Sequence, residues 1–287
     1  MSHFENIAKN IYEEILFSKK YSTLYKPLVL RVCEEEYKKY SNDKERVKGA
    51  KSTLHAMYGA YLTVGCHKKA NKILKKIKEE NENHEKKNEE RENQKNKKQE
   101  NLKGILQLHA STKERTLHLT EFYQFIFENI GSIKSVLDIG CGLNPFTLPY
   151  MPNNDKIVEY HALDIDYRIA DLNNSYFTSL GLPALAGCAD IITETPRISV
   201  EVAFLFKLLP LIERQAKGRG IQLLREIDAR HLIITYPTKS LSGKMKGMKA
   251  FYAAVFEEMF RDELSNDLFI SAKGEIGDEL IYVVNKK

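Results

Sequence analysis

The sequence predicts an α/β fold in which a mostly parallel β-sheet follows an all-helical N-terminal domain. Between Ser135 and Tyr236, short apolar runs of strand length alternate with helical segments, which is typical of β-α-β units. Two further apolar runs, at 268–271 and 280–284, flank a glycine-containing turn and predict a hairpin that closes the sheet. Before residue 104, the apolar residues recur at helical spacing instead.

The N-terminal domain is predicted to begin with three helices. Apolar residues recur at helical spacing from residue 3 to residue 18. Pro27 suits the first turn of a second helix that runs to Tyr40. Asn42 offers a cap for a third helix that continues through Leu54, Met57 and Tyr61.

The next segment, residues 67–78, is rich in lysine and carries an apolar stripe. It suits a helix that contacts phosphates, since lysine and arginine supply most such contacts, and it equally suits a solvated amphipathic helix. Residues 79–100 have almost no apolar side chains and are predicted to be a helical or partly disordered spacer. We place the domain boundary at the end of this spacer, between a basic helical domain, 1–103, and a second domain, 104–287.

Charge is distributed unevenly along the 287 residues. Residues 1–100 hold 23 lysines and arginines against 16 acids, a balance of +7, whereas the remainder holds 21 against 23, a balance of −2. A basic N-terminal domain suits docking on a polyanion such as RNA. A solvated helical domain with a lysine-rich face would show the same charge.

Composition also excludes several classes of protein. No apolar run approaches the roughly 20 residues that span a bilayer, and no secretory signal is visible at the N-terminus. The four cysteines are scattered and the eight histidines show no ligand spacing, so we predict neither a disulfide framework nor a metal site. A cytoplasmic protein without a membrane partner is expected.

The strongest local motif is a short apolar run that ends at two glycines. Residues 135–139 predict a buried strand with Asp138 near its end, and Gly140 and Gly142 follow directly. Glycines let the backbone approach a ligand closely, and parallel sheets bind nucleotide-like ligands at this edge. The same pattern also occurs at ordinary strand-to-turn junctions.

The residues around this motif favour S-adenosyl-L-methionine over a dinucleotide. Pro145 stands where a dinucleotide fingerprint has its third glycine, and Asn144-Pro145 is expected to interrupt a helix start. S-adenosylmethionine has no phosphate, so it suits a strand that carries Asp138. The next two predicted strands also end in acids, Asp164 for ribose hydroxyls and Asp190 for the adenine amino group.

Four stretches together resemble the Arm/Rmt aminoglycoside-resistance methyltransferases, and the resemblance covers essentially the whole chain. They are residues 109–115, 138–145, 206–210 and 236–244, the last followed by Gly247-Met248. The resemblance implies a Rossmann-like class I S-adenosylmethionine-dependent methyltransferase with an N-terminal all-helical domain. It also implies methylation at N7 of one decoding-site guanine of 16S rRNA, on the assembled 30S subunit, with S-adenosyl-L-homocysteine as product.

The resemblance implies roles for particular residues. Arg115 would pair with the methionine carboxylate and Asp164 with the ribose. The implied cofactor contacts are His109, Ala110, Ser111, Thr112, Lys113, Glu114, Arg115, Gly140, Asp164, Asp190, Ile191, Phe206 and Gln215. The implied contacts to the 30S subunit and to the target base are Lys20, Lys51, Lys68, Lys69, Lys72, Lys244, Arg214 and Met248.

One departure concerns the loop after Met248, where the family usually has two acids before an aromatic residue. This chain has Lys249-Ala250-Phe251 instead, which puts the contacts of this loop in doubt. Guanine N7 has a free lone pair, so we expect no catalytic acid or base, and we expect a monomer. The alternatives are methylation of another rRNA position, a non-catalytic rRNA-binding module, and an NAD-linked oxidoreductase, against which Pro145 argues.

Overall fold

The computed structural model describes residues 3–59, 61–62, 65–84, 91–239 and 247–287. Its centre is a seven-stranded sheet with the strand order β3-β2-β1-β4-β5-β7-β6. Five strands are parallel, and β7 and β6 join them antiparallel as a hairpin. The predicted α/β fold is therefore confirmed. The strands are β1 Ser135–Ile139, β2 Glu159–Asp164, β3 Ala186–Cys188, β4 Val200–Phe206, β5 Ala229–Pro237, β6 Leu268–Ile276 and β7 Glu279–Lys286.

Helices precede the sheet and cover both of its faces. The helices are α1 His3–Phe17, α2 Lys26–Lys39, α3 Asp43–Leu54, α4 Cys66–His84, α5 Arg91–Leu106, α6 Ala110–Arg115, α7 Leu119–Ile130, α8 Tyr167–Ser179, α9 Leu209–Gln215, α10 Arg219–Glu226 and α11 Met248–Met259. A π-helical turn, His55–Gly59, extends α3. The three predicted N-terminal helices are present, with Pro27 in the first turn of α2 and the Asn42 side chain accepting from the backbone N–H of Glu45. The third was predicted to continue through Tyr61, but its α-helical part ends at Leu54, where the π-helical turn begins.

The central strand β1 is buried on both faces, which explains its continuous apolar run. Val136 belongs to a core that also contains residues of α4, α5, α7 and α8. Leu137 and Ile139 belong to a second core with residues of α9, α10 and α11. Alternate side chains of one strand thus hold two layers of helices on the sheet.

The N-terminal helices divide between two cores. Helices α1 to α3 pack around a separate cluster of their own, which includes Leu28, Val32 and Leu54. Helices α4 and α5, in contrast, contribute Leu74, Leu106 and neighbouring residues to the core on one face of the sheet. The boundary predicted between residues 103 and 104 falls inside α5, and the division into two domains stays a prediction.

The region after the glycine motif differs from the expectation. Asn144–Tyr150 forms a 3-10 helix, so the expected interruption at Asn144-Pro145 is wrong. Pro145 occupies its first turn, where a missing N–H costs no intrahelical hydrogen bond and the fixed φ is already suitable. Proline disfavours a helical conformation only in the residue that precedes it. Here that residue is Asn144, which stands at the beginning of the turn.

A buried acid joins the N-terminal helices to the sheet. Asp166 caps α8 and is fully buried. The Tyr58 hydroxyl donates to its Oδ2, Arg168 Nη2 donates to the same oxygen over 2.9 Å, and His67 Nε2 lies 3.3 Å from it. Burial alone would raise the pKa of Asp166, but these contacts outweigh it and hold the pKa well below its usual range.

We expect Asp166→Asn to destabilise the protein by roughly 2 kcal/mol, because the Tyr58 hydroxyl and the backbone N–H of Arg168 lose a charged acceptor. A lowered pKa means that the ionised carboxylate stabilises the fold above the ordinary carboxyl pKa of about 4. The stability difference between wild type and variant should therefore be constant from pH 6 to 8 and should narrow below about pH 4. Urea unfolding at several pH values measures it.

Asp171→Asn is the matched control, since Asp171 is exposed on the same helix α8. Its unfolding free energy should stay within about 0.5 kcal/mol of wild type. Equal stability of Asp166→Asn and this control would contradict the structural role of Asp166.

Candidate functional site

A deep cavity opens at the carboxyl edge of β1, β2 and β4, below the N-terminal helices. It encloses about 1050 Å³ of empty space, part of it continuous with solvent. The strand register places Asp138 beside Ala162 and Phe204 on its neighbouring strands, and Asp164 ends β2 two residues after Ala162. Lining residues from the N-terminal helices and the π-helical turn are Leu28, Met57, Tyr58, Tyr61 and Leu62.

The two glycines of the motif shape the floor of this cavity. Gly140 and Gly142 have φ values of +67° and +51°, where other residues are strained. A Cβ on Gly142 would lie 2.9 Å from His109 Nε2, and one on Gly140 would lie 3.0 Å from a Leu208 methyl carbon. Backbone conformation and space thus both favour glycine at these two positions.

Asp138 in β1 and Asp164 at the end of β2 line the cavity. Asp164 accepts from the backbone N–H of Gly142 over 2.8 Å and from that of Ile165 over 2.7 Å. Burial raises the pKa of Asp164 to about 6, although these hydrogen bonds oppose the shift. Burial likewise raises the pKa of Asp138 to about 6, against hydrogen bonds from Asn144 and Tyr160.

Arg115 is held rigidly at one end of the cavity. Its Nε and Nη2 donate to the two oxygens of Glu279 over 3.0 and 2.9 Å, and its Nη1 donates to Asn144 Oδ1 over 2.9 Å. The guanidinium carbon lies 4.4 Å from the ring centroid of Phe122 and 4.6 Å from that of Phe206. A guanidinium has five N–H groups, so two remain available on Nη1 and Nη2.

Lys207 is a second cation at this end of the cavity. Its Nζ donates to Glu114 Oε2 over 2.5 Å and lies 3.3 Å from Glu279 Oε1. Burial alone would raise the pKa of Glu279, but Arg115 and Lys207 outweigh it and hold the pKa below its usual range. Lys207 has a φ of +56°, a strained conformation for a residue with a side chain.

The opposite end of the cavity contains Asp190, which is 2% exposed. Arg31 of α2 donates to it twice, from Nε to Oδ2 over 2.6 Å and from Nη2 to Oδ1 over 3.2 Å. Arg31 Nη2 also donates to Gln215 Oε1 over 3.0 Å, and Nη1 donates to Glu35 over 2.9 Å. This ion pair connects two residues 159 positions apart, so no local sequence pattern could reveal it.

His109 caps α6 between the glycine loop and Tyr61. The imidazole stacks on the Tyr61 ring, with centroids 5.9 Å apart and planes inclined by 16°. Burial, assisted by Arg115 and Lys207, lowers the pKa of His109 to about 4, so the ring is neutral at physiological pH. Its Nδ1 is buried and has no hydrogen-bond partner among the described residues.

The cavity brings together most, but not all, of the residues expected to contact a cofactor. Ala110, Lys113 and Glu114 do not line it, because they lie on other sides of the short helix α6. Sequence reasoning missed Lys207 and Arg31, although Lys207 lies within a stretch that carried the resemblance. Expected residues that line the cavity are His109, Ser111, Thr112, Arg115, Gly140, Asp164, Asp190, Ile191, Phe206 and Gln215.

The residues expected near a target base have different surroundings. Arg214 is exposed in the last turn of α9, and Met248 is buried at the beginning of α11. Lys244 lies outside the described residues. Their roles stay predictions.

The expected docking lysines are spread over the N-terminal helices. Lys68, Lys69 and Lys72 are exposed on α4, whose opposite face is buried. Lys20 Nζ lies 2.9 Å from His55 Nδ1, and Lys51 Nζ lies 3.0 Å from Glu14 Oε1. Within the described side chains, the three α4 lysines make no ion pair, so their charges face solvent.

Membrane spans and metal clusters are both absent from the described part of the chain. No helix in it is long and apolar enough to cross a membrane. Nor does this part of the chain place three or more His, Cys, Asp or Glu side chains where they could hold a metal ion.

The strand order, the glycine loop after β1 and the acid at the end of β2 define the chain as a class I methyltransferase fold. The family model described as ribosomal RNA methyltransferase (FmrO) matches residues 17–283. The chain therefore belongs to this family, the Arm/Rmt rRNA methyltransferases.

Individual relatives are similar over the full length. An enzyme of Proteus mirabilis named 16S rRNA (guanine(1405)-N(7))-methyltransferase is 33% identical over 284 residues, covering 98% of both chains. An enzyme of the same name from Serratia marcescens is 33% identical and covers 95% of this chain and 96% of its own. The crystal structure of the 16S rRNA methyltransferase RmtF in complex with S-adenosyl-L-homocysteine superposes with a TM-score of 0.83 at 29% identity, covering both chains completely. The 16S rRNA methylase RmtB gives 0.77 at 29% identity and 98% of each chain.

Proposed function

We propose that this protein transfers the methyl group of S-adenosyl-L-methionine to N7 of guanine 1405 of 16S rRNA in the 30S subunit, which confers aminoglycoside resistance. The observation that carries the proposal is the cavity at the carboxyl edge, in a chain similar over its full length to enzymes of that name. The protein would act in the cytoplasm as a monomer.

The cavity residues fit S-adenosylmethionine. Asp164 presents carboxylate oxygens for ribose hydroxyls beside a glycine loop that leaves no room for a Cβ. Arg115 retains two N–H groups for the methionine carboxylate, and the buried Nδ1 of His109 has no partner among the described residues. At the opposite end, Asp190 offers an acceptor for the adenine amino group.

The chemistry requires positioning rather than proton transfer. The bound cofactor supplies an electrophilic methyl group on a sulfonium. Guanine N7 attacks with a lone pair that bears no proton at neutral pH, so no general base is needed. What the protein contributes is alignment of the two reactants, which can lower a barrier by several kcal/mol. Arg115, fixed by Glu279 and two aromatic rings, would hold one end of the cofactor still.

The target base must leave its stack before it can reach the cavity, at a cost of roughly a few kcal/mol. Side chains can hardly read the base sequence in the grooves of an RNA helix, so recognition should depend on the shape of the RNA and on its phosphates. The exposed lysines Lys68, Lys69 and Lys72 on α4 would supply phosphate contacts, with Lys20, Lys51 and Lys244. Arg214 and Met248 would position the flipped guanine, because they lie on helices that follow β4 and β5.

The direct test treats 30S subunits with the protein and S-adenosylmethionine. Reduction and aniline cleavage convert N7-methylguanine into a strand break, and primer extension locates it. We expect one new stop, at guanine 1405, on assembled 30S subunits and none on naked 16S rRNA, since lysines distant in sequence must meet a folded surface together.

Asp164→Ala should bind S-adenosylmethionine more weakly and should therefore give a fainter stop when the cofactor is limiting. A stop at another guanine would replace the proposed target, and equal methylation of naked rRNA would contradict recognition by shape. No incorporation of labelled methyl groups would reject the enzyme activity.

Cofactor affinity should depend on pH through Asp164. Its pKa of about 6 means that the carboxylate is ionised at pH 7 and becomes protonated as the pH falls. Protonation removes a charged acceptor, so affinity for S-adenosylhomocysteine should fall by up to about tenfold per pH unit below pH 6. Calorimetry between pH 5 and 7 measures the slope.

The variant Asp164→Asn should bind more weakly at pH 7 and show a flatter profile. A slope that persists in this variant would assign the titration to Asp138 instead. Affinity that is constant from pH 7 to 5 in the wild type would refute the ribose role of Asp164.

Docking on the subunit should be separable from cofactor binding. Replacing Lys68, Lys69 and Lys72 together with Glu should weaken 30S binding, because lysines that neutralise phosphates release counterions. The slope of log affinity against log salt should become shallower by roughly 0.7–0.9 for each phosphate that is no longer neutralised. Filter binding at several salt concentrations measures this, and S-adenosylhomocysteine affinity should remain unchanged.

A matched charge control replaces three exposed cations near the amino ends of β1, β2 and β5, opposite the cavity. They are Lys134, Lys156 and Arg230, each changed to Glu. This control should bind 30S subunits nearly as well as wild type. If both triple variants lose affinity equally, the effect is net charge and the docking role of α4 fails.

A further inference from the structure

Arg31 reaches the cofactor cavity from outside the sheet domain. It lies on α2, and its guanidinium contacts Asp190 and Gln215, which both line the cavity, although Arg31 itself does not. The charged ends are desolvated, since the Arg31 side chain is 11% exposed and the Asp190 side chain 2%. The guanidinium of Arg31 contacts two cavity residues at once, so its geometry is more constrained than that of a surface ion pair.

The hydrogen bonds of Asp190 leave one of its acceptor sites for a ligand donor. Its Oδ1 accepts from Arg31 Nη2 and from the backbone N–H of Ile192, each over 3.2 Å. Its Oδ2 accepts from Arg31 Nε alone among the described residues. A carboxylate oxygen has about two lone-pair sites, so Oδ2 retains one. In the ion pair Asp190 is a carboxylate, which offers acceptors only.

We propose that Arg31 is a positioning residue that makes the cofactor site selective for the 6-amino group of adenine. Arg31 donates hydrogen bonds to both oxygens of Asp190 and to the amide oxygen of Gln215. These bonds orient the carboxylate so that the free lone pair of Oδ2 can accept from a donor in the cavity. The inference rests on the proposed use of S-adenosylmethionine and extends the cofactor site to α2 of the N-terminal helices. A base with a carbonyl oxygen at position 6 would place a second acceptor against this lone pair. The two acceptors would repel each other, so such a base would bind more weakly.

Lysine should replace arginine only in part in this role. An ammonium is a point charge without the planar fork that contacts Asp190 twice and Gln215 once. Glu35 is the third partner of Arg31 and lies 34% exposed on the same helix, away from the cavity lining. It supports Arg31 but is not itself needed to orient Asp190.

The experiment compares two ligands, S-adenosylhomocysteine and S-inosylhomocysteine, in which a carbonyl replaces the amino group. Calorimetry with the full-length wild type should show a preference of about 100-fold or more for the adenosyl ligand, since a site built for a donor rejects its absence strongly. Arg31→Gln should reduce this preference to below about tenfold, and Arg31→Lys should restore it only in part. Lys38→Gln, which removes an exposed cation from the same helix, should keep the wild-type preference.

Steady-state kinetics on 30S subunits gives a second readout. Arg31→Gln should raise KM for S-adenosylmethionine by about tenfold and leave kcat within about twofold, because Arg31 contacts Asp190 and Gln215, which the proposal assigns to the adenine and not to the methyl group. Thermal unfolding confirms that the variants are folded. General loosening of the fold would weaken both ligands equally and leave their ratio unchanged.

The outcomes separate the inference from the proposed function. If wild type binds neither ligand, the use of S-adenosylmethionine is wrong. If wild type binds both ligands equally, or if Arg31→Gln keeps the wild-type ratio within about twofold, the proposed role of Arg31 is overturned.

Discussion

Because β1, β2 and β4 run parallel, their carboxyl ends meet along one edge, and the glycines and acids of the cavity depend on this alignment. The backbone N–H groups of Gly140 and Cys141 donate to Leu163 of the neighbouring strand, which fixes the glycine loop to β2. The N–H of Gly142 then donates to Asp164. A shift of β1 against β2 by one residue would turn its side chains to the wrong faces and dismantle this set.

The N-terminal helices complete the cavity instead of merely preceding it. Asp166 binds the π-helical turn through Tyr58, and Arg31 of α2 grips Asp190 at the other side of the same edge. Residues 23 to 25 also bond to the backbone around β2, since the N–H of Tyr25 donates to Ile165. The basic N-terminal part of the chain therefore contributes lining residues to the cavity and exposed lysines to the protein surface.

Local sequence signals predict the strands and their acids well. Ser135–Ile139 is predicted with its observed bounds, because a short apolar run between breakers has few other interpretations. The acids at the strand ends are recognisable for the same reason. The interruption expected at Asn144 is wrong, because Pro145 falls in the first turn of the 3-10 helix, where proline is tolerated.

The ion pairs that organise the cavity could not be predicted in this way. Arg31 and Asp190 are 159 positions apart, and Arg115 and Glu279 are 164 apart. Each partner alone resembles an ordinary surface charge, and only the tertiary fold brings the two into a buried contact. Arg115 is identifiable through family resemblance, whereas its partner Glu279 carries no local signal.

Helix α4 has one face that is buried in the core and one that is exposed to solvent. Its apolar face, with Ala70, Leu74 and Ile77, belongs to the same core as β1, while Lys68 and Lys72 stand on its exposed face. Since protein cores are close-packed, α4 cannot swing relative to the sheet without opening that core. The distance from these lysines to the cavity is therefore fixed by the packing of the core. An RNA that contacts the lysines and the cavity at the same time would have to match this distance, and any bending that the match requires would have to come from the RNA.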